Sequence, residues 1–193
     1  LYGLAVDAYA KVDQPQLEPL RVPNERGEHV AGYLQMPTSQ RAGSPVPCVL
    51  MVPGVTGAKE EMHAYAMPLL RRGWAVARID NPIYGQTEGI LDRVSVPNAR
   101  VVFEHLLRDE RIDPARVHFH GTSMGGNLAL RAAHGTSAAS VTVICPPYEP
   151  GRYFRELPTL NLTALQHMTQ LPDIDALVDF ATENSLKPIA GDL

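Results

Sequence analysis

Apolar segments alternate with amphipathic segments between positions 46 and 145. The run 46–52 is apolar without alternation, which is typical of a strand buried on both faces of a parallel sheet. Because strands and helices alternate along this region, the pattern predicts an α/β fold, a mostly parallel sheet with helices on both faces. Further strands are predicted at 74–80, 117–120 and 140–145, with helices near 59–72, 96–109 and 127–133.

The two ends of the chain have a different pattern. The apolar stretches 20–22 and 29–36 are separated by turn residues, which predicts an antiparallel hairpin. The stretch 148–171 is rich in aromatic, proline and polar residues, and 174–182 reads as a short helix. We therefore expect an N-terminal helical segment and linker (1–19), a first part of the core (20–147) and the start of a helical cap (148–193) before a missing C-terminal part of the core.

A glycine-flanked serine follows the predicted strand 117–120. A serine hydroxyl is a weak nucleophile, so its chemistry needs a sharp strand-to-helix turn that presents Oγ beside amide donors. Gly121 and Gly125 are small enough to allow such a turn around Ser123, and Gly126 lets the following helix pack against the strand. The motif predicts a nucleophile elbow with Ser123 as the catalytic nucleophile.

Ligands of open α/β sheets bind beyond the carboxyl ends of the strands, where Ser123 is predicted to lie. Gly54 and Asp80 end two other predicted strands, and Tyr148 and Glu149 follow a fourth. These four residues are therefore candidates for a substrate pocket. The Asn, Pro and Gly residues that follow Asp80 favour turn capping as its role.

Several segments together resemble the α/β-hydrolase superfamily. Within it, the chain is similar to the FrsA-like esterase branch, which includes 2,6-dihydroxypseudooxynicotine hydrolase and the Ayg1-like polyketide-shortening hydrolases. The resemblance spans nearly the whole chain but identifies a branch rather than a substrate. The segments that carry it are 9–11, 31–37, 52–55, 54–61, 80–86 and the elbow at 121–126.

The resemblance implies a hydrolase that cleaves an ester or an activated carbon–carbon bond of a β-diketone-like compound, without a metal or organic cofactor. By position it implies Ser123 as the nucleophile and the backbone amides of Val55 and Met124 as the oxyanion hole. Physical chemistry agrees, because the Met124 amide starts a helix, where donors are unsatisfied and the dipole favours negative charge. Aromatic cap residues such as Tyr148 favour a small apolar or aromatic acyl substrate, with simple cap packing as the alternative.

A catalytic acid and base are not identifiable in the sequence. In this superfamily the order is Ser, then Asp or Glu, then His, and only His134 and His167 follow the serine. His134 is about 15 Å along the elbow's own helix at 1.5 Å per residue, so it is excluded as the base. His167 would reach the cleft only by folding over it. We expect that the missing segment carries the catalytic acid and the histidine. Without them, an elbow and an oxyanion hole retain a rate enhancement of about 10³ to 10⁴ over the reaction in water, so this chain alone should be nearly inactive.

Other candidates for special chemistry are weak. Glu149 and Glu156 follow the last predicted strand and could face the pocket, but neither has a visible partner. His118 and His120 share one face of a strand, and without a third ligand they are predicted to be packed sheet histidines, not a metal site. Cys48 and Cys145 fall in predicted buried strands, which favours reduced, apolar core thiols.

Composition narrows the class of protein. The 193 residues carry a net charge of −4 and no basic run, which argues against nucleic-acid binding. No apolar stretch approaches the roughly 20 residues of a membrane span, so a cytoplasmic protein is the default expectation. The chain starts at Leu1 rather than Met, so we treat it as a candidate fragment. The expected partner is a small molecule, and a homodimer stays open.

Two other functions stay open at this stage. A non-catalytic binding protein would keep the fold and the pocket but lack an acid and a histidine. A serine peptidase or acyltransferase on the same scaffold would differ only in what its pocket accepts.

Overall fold

The computed structural model describes residues 17–93 and 95–191. They form a six-stranded sheet of order β1-β2-β4-β3-β5-β6, in which β1, β2 and β4 pair antiparallel and β4, β3, β5 and β6 pair parallel. The predicted α/β fold with a mostly parallel sheet and an N-terminal hairpin is therefore confirmed. The strands are β1 Leu17–Pro23, β2 His29–Gln35, β3 Val46–Val52, β4 Ala75–Ile79, β5 Ile112–Thr122 and β6 Ser140–Ile144.

Five α-helices accompany the sheet in the described part of the chain. A 3-10 turn at Lys59–Met62 precedes the first of them, and others lie at Pro150–Arg152, Phe154–Glu156 and Lys187–Ile189. The last two helices form the helical part of the cap. The helices are α1 His63–Arg71, α2 Asn98–Leu106, α3 Met124–Ala133, α4 Thr159–Thr169 and α5 Ile174–Glu183.

Helices cover both faces of the sheet. On one face, Phe103 of α2 stacks on Phe119 of β5 with ring centroids 5.2 Å apart. On the other, Val49 and Met51 of β3 pack with Ala66 of α1 in a separate buried cluster. Successive side chains of β3 point to opposite faces of the sheet, and both faces are covered, which explains why its sequence is apolar without interruption.

The N-terminal boundary differs from the predicted one. Residues 17–19 had been expected to be linker, but Leu17 pairs with Gln35 and Pro19 with Tyr33 in the β1–β2 ladder. Pro19 is tolerated because β1 is at the edge of the sheet, where a missing amide donor breaks no second ladder. The helix predicted for residues 1–11 lies outside the described residues.

The prediction for Cys145 was wrong, whereas Cys48 is buried in β3 as predicted. Cys145 is exposed and takes a positive φ of 49° just after β6. β6 is the outermost strand of the sheet within the described ranges, and its residues alternate between half-buried and exposed. None of the helices in those ranges is long and apolar enough to cross a membrane.

Candidate active site

Ser123 occupies a strained turn between β5 and α3. Its φ of 51° and ψ of −124° lie in a region that residues with a side chain seldom adopt. The Ser123 amide donates to the Ile144 carbonyl oxygen at 2.8 Å, which fastens the turn to the end of β6. The backbone therefore has the sharp strand-to-helix geometry of a nucleophile elbow.

Close backbone contacts explain the glycines around the serine. A Cβ on Gly121 would lie 2.3 Å from the Gly125 carbonyl oxygen, and one on Gly125 would lie 2.2 Å from that of Pro53. A Cβ on Gly126 would be 3.1 Å from Cβ of Pro146, a tight but milder contact. The first turn of α3 therefore sits directly against the loop after β3, and only glycine fits at the two closest points.

The loop after β3 lies beside Ser123. A Cβ on Gly54 would be 3.6 Å from Cβ of Ser123, so Gly54 is next to the serine as the sequence suggested. The backbone amides of Val55 and Met124 have no hydrogen-bond acceptor within the described residues. Both residues line the same cavity as Ser123. Two donors are thus left free where an anionic oxygen would develop during attack by the serine.

The cavity at Ser123 has a volume of about 180 Å³ and forms between the core and the cap. Burial raises the pKa of the Tyr153 phenol, which is part of its wall. Most of the wall is apolar, so the site suits an uncharged ligand. The apolar wall includes Leu91, Val96, Leu128, Phe154, Leu165 and Phe180.

Asn127 joins the helix of the nucleophile to the cap. Its Nδ2 donates to the carbonyl oxygens of Pro147 and Asn184, both at 2.9 Å, and its side chain is 4% exposed. Asn127 lies one turn after Ser123 in α3, so the cap is held close to the serine. Sequence reasoning missed this residue, because its partners are 20 and 57 positions away in the chain.

None of the four predicted pocket residues lines the cavity, although Gly54 lies beside Ser123. Asp80 is buried, and its carboxylate accepts from the backbone amide of Lys59 at 2.9 Å and from the Lys59 Nζ at 2.7 Å. Burial raises the pKa of Asp80, and the hydrogen bonds from Lys59 oppose that rise. Asp80 is thus a structural anchor, as the turn-forming residues beside it suggested.

Tyr148 and Glu149 lie outside the cavity for a different reason. The chain turns away after β6, which leaves Tyr148 46% exposed on the surface. Glu149 pairs with Lys187 at 2.8 Å and with Arg152 at 3.1 Å, and the Lys187 hydrogen bond lowers the pKa of its carboxyl. Both residues therefore belong to the outer side of the cap.

The described residues place no carboxylate or imidazole in the cavity wall. His134 ends α3 at its C-cap, and His167 is exposed on α4. His118 bonds through Nδ1 to Ser140 Oγ at 2.8 Å, and His120 packs on Tyr65 with ring centroids 5.2 Å apart. Burial lowers the pKa of both strand histidines. Across the described ranges no cluster of potential metal ligands is found.

The sheet order, the elbow and the free amides beside it define a protein of the α/β-hydrolase class. The sequence agrees, because residues 49–190 match the model of the alpha/beta hydrolase family. The chain therefore belongs to this family.

Relatives with curated names include a quorum-quenching protein and a fungal hydrolyase. The chain is 29% identical over 123 residues to quorum-quenching protein AidA of Acinetobacter baumannii, covering 60% of this chain and 40% of AidA. It is 28% identical over 165 residues to hydrolyase poxO of Penicillium oxalicum, covering 78% of this chain and 38% of poxO. The chain thus spans about two fifths of the length of these relatives.

Solved structures share the fold. A 2,6-dihydroxy-pseudo-oxynicotine hydrolase superimposes with a TM-score of 0.78 at 21% identity, covering 97% of this chain and 54% of that one. AbyA5 gives a TM-score of 0.78 at 22% identity, covering 96% of this chain and 55% of that one. At these identities the likeness establishes the fold.

Proposed function

We propose that this chain carries the nucleophile and the oxyanion hole of a hydrolase for small acyl compounds. The bond cleaved is an ester or an activated carbon–carbon bond of a β-diketone-like compound. The observation that carries the proposal is the strained Ser123, which opens into an apolar cavity beside two unoccupied amide donors. The names of AidA, poxO and the structural neighbour, which describe a quorum-quenching protein, a hydrolyase and a hydrolase, support the reaction class.

In this reaction, Ser123 Oγ attacks the carbonyl carbon of the substrate and its proton passes to a base. The carbonyl oxygen becomes an oxyanion that the amides of Val55 and Met124 bind. One such donor contributes roughly 3 to 4 kcal/mol of transition-state stabilisation. The proposal assigns the base and its carboxylate to residues of the whole protein outside the described ranges, since the described cavity wall offers neither.

The cavity limits the size of the acyl group. An apolar cavity of about 150 Å³ accommodates benzene, and the cavity here is about 180 Å³. We therefore expect an acyl group no larger than one aromatic ring with a short substituent. The rest of the substrate would extend through the open side of the cleft.

A second candidate is a non-catalytic binding protein. It is favoured by the lack of a carboxylate or imidazole in the described cavity wall. Such a protein would bind the same apolar ligands without turning them over. A peptidase or an acyltransferase would use the same serine and would differ only in the substrate that its pocket accepts.

The test compares Ser123→Ala with the unchanged protein, using the product of the complete reading frame that contains these residues. The substrates are p-nitrophenyl acetate, p-nitrophenyl benzoate and 1-phenyl-1,3-butanedione. Ser137→Ala is a matched control, because Ser137 is an exposed serine after α3 that is not part of the elbow. We expect loss of turnover only in Ser123→Ala, with a fluorophosphonate adduct on Ser123 in the unchanged protein.

Two results would count against this function. Turnover that survives Ser123→Ala excludes this serine as the nucleophile. Binding of the benzoate ester without turnover or adduct formation supports the non-catalytic alternative.

A further inference from the structure

Asn81 joins the two loops that follow β3 and β4. It comes two residues after the end of β4 and is only 2% exposed. Its side-chain Nδ2 donates to the carbonyl oxygens of Pro53 at 3.1 Å and Gly54 at 3.0 Å. Both N–H groups of the amide are therefore used on the loop that carries Val55.

The second of these bonds fixes the direction of the Val55 amide. The carbonyl of Gly54 and the N–H of Val55 belong to one peptide group, which is planar and trans, so they point in opposite directions. The amide of Gly57 donates to the same carbonyl oxygen at 3.1 Å. Because two donors hold the carbonyl, rotation of this peptide group, and with it of the Val55 N–H, is restricted.

The opposite side of this loop is also fixed. Gly125 in the first turn of α3 approaches the carbonyl oxygens of Val52 and Pro53 so closely that a Cβ would lie 2.3 Å and 2.2 Å from them. The loop is thus clamped between the helix that follows the nucleophile and the side chain of Asn81. The helix limits translation of the loop, whereas Asn81 controls the rotation of its peptide groups.

We infer that Asn81 is a positioning residue for the oxyanion-binding amide of Val55, a role that rests on the proposed function. Asn81 does not line the cavity, so it acts through the Gly54–Val55 peptide group and not on the substrate. A displacement of about 1 Å in a catalytic group can cost about 10²-fold in rate. We expect a loss of that order in kcat when Asn81 is changed, with little change in KM.

The variants are Asn81→Asp and Asn81→Ala. Asn81→Asp has nearly the same shape but no N–H donor, and Asn81→Ala removes the donors without adding charge, should the first fold poorly. Asn24→Ala is the control, because Asn24 is also buried and donates through Nδ2, but to side chains of Glu28 and Asn98. Loss of the Asn24 side chain should lower the melting temperature without changing the loop that carries Val55.

Two measurements separate positioning from general stability. The first is the rate ratio of an ester to its thiono ester in the complete reading-frame product, because sulfur accepts hydrogen bonds weakly and profits little from an oxyanion hole. The second is the Val55 amide peak in an NMR spectrum of the ¹⁵N-valine-labelled chain. We expect the Asn81 variants to reduce the ester preference at least tenfold and to move or broaden the Val55 peak, and Asn24→Ala to do neither.

Each other outcome is decisive. An unchanged Val55 peak in both Asn81 variants overturns the inference whatever the rates are. If the Val55 peak moves but the preference for the ester over the thiono ester is unchanged, Asn81 makes a structural contact only. This result also overturns the inference. If Ser123→Ala keeps its turnover, the proposed function fails, and the Val55 peak alone then decides whether Asn81 fixes this peptide group.

Discussion

Replacement of Lys59 by methionine tests the buried ion pair beneath the site. The side chains of Lys59 and Asp80 are both 0% exposed, with Nζ 2.7 Å from Oδ2. The Lys59 ammonium also lies 3.3 Å from Glu60 Oε1 and 4.8 Å from the centroid of the Tyr33 ring. Lys59→Met keeps most of the apolar stem but leaves the Asp80 carboxylate buried without its cation.

The expected cost is large. Removing one partner of a buried ion pair destabilises a protein by about 3 to 5 kcal/mol, because the remaining charge is uncompensated. The carboxylate has no room to move, since a Cβ on Gly85 would already lie 2.2 Å from it. At about 2 to 4 °C per kcal/mol for a chain of this size, the melting temperature should fall by about 6 to 20 °C.

The pH dependence has a definite sign. Burial raises the pKa of Asp80 in the folded state, and Lys59→Met removes the side-chain hydrogen bond and the positive charge that oppose the rise, while the backbone amide of residue 59 still donates. An acid with a raised folded pKa binds protons more readily in the folded than in the unfolded state as the pH falls. The deficit of Lys59→Met relative to the unchanged protein should therefore shrink between pH 8 and pH 5.

Urea unfolding followed by circular dichroism measures these effects. The double variant Lys59→Met/Asp80→Leu should recover part of the stability that Lys59→Met loses, because the carboxylate that lost its cation is removed as well. Arg21→Met serves as the control, since its pair with Glu88 is exposed and should leave the midpoint nearly unchanged. The reasoning is refuted if Lys59→Met behaves like Arg21→Met, or if the double variant loses the sum of the two single losses.

Three further predictions concern the elbow, the sheet histidines and the thiols. Gly125→Ala should lose about 1 to 3 kcal/mol of stability and most of the turnover, whereas Gly126→Ala should lose clearly less of both. Equal losses in the two variants would contradict the contact distances. Burial lowers the pKa of His120, so stability should fall as the pH drops below the unfolded-state pKa of about 6.5. The fall should be smaller in His120→Phe, and identical pH dependence of the two proteins in urea titrations would disprove this. Burial raises the pKa of Cys48 to about 12, so a disulfide reagent should modify exposed Cys145 and reach Cys48 only after unfolding; modification of both thiols in the native protein would disagree.

The sequence was most informative where a steric constraint permits only one kind of residue. The elbow is readable because Gly121 and Gly125 each face a backbone atom at a distance that no Cβ permits. The strand β3 is readable because both of its faces are covered, so every position is apolar. In both cases the constraint restricts the residue type itself, so the residues reveal it even where the contacting atoms are distant in the chain.

Features that depend on distant partners were not readable. The turn-forming residues after Asp80 favour a capping role, but its buried ion pair is not predictable, because Lys59 lies 21 residues earlier in the chain. Pro19 looks like part of a linker until β2 is present to pair with it. The cavity wall combines the loop after β3, the elbow and the cap, whose Asn161 and Phe180 follow no pattern relative to Ser123.

The described part of the chain assembles its donors without any help from a base. The Val55 amide is fixed by Asn81 and Gly57, and the Met124 amide is fixed because it begins α3. None of these contacts depends on a carboxylate or an imidazole at the cavity. If these two amides form the proposed oxyanion hole, its geometry does not depend on a proton acceptor, so that geometry and the hydrolytic rate can be tested as separate properties of the molecule.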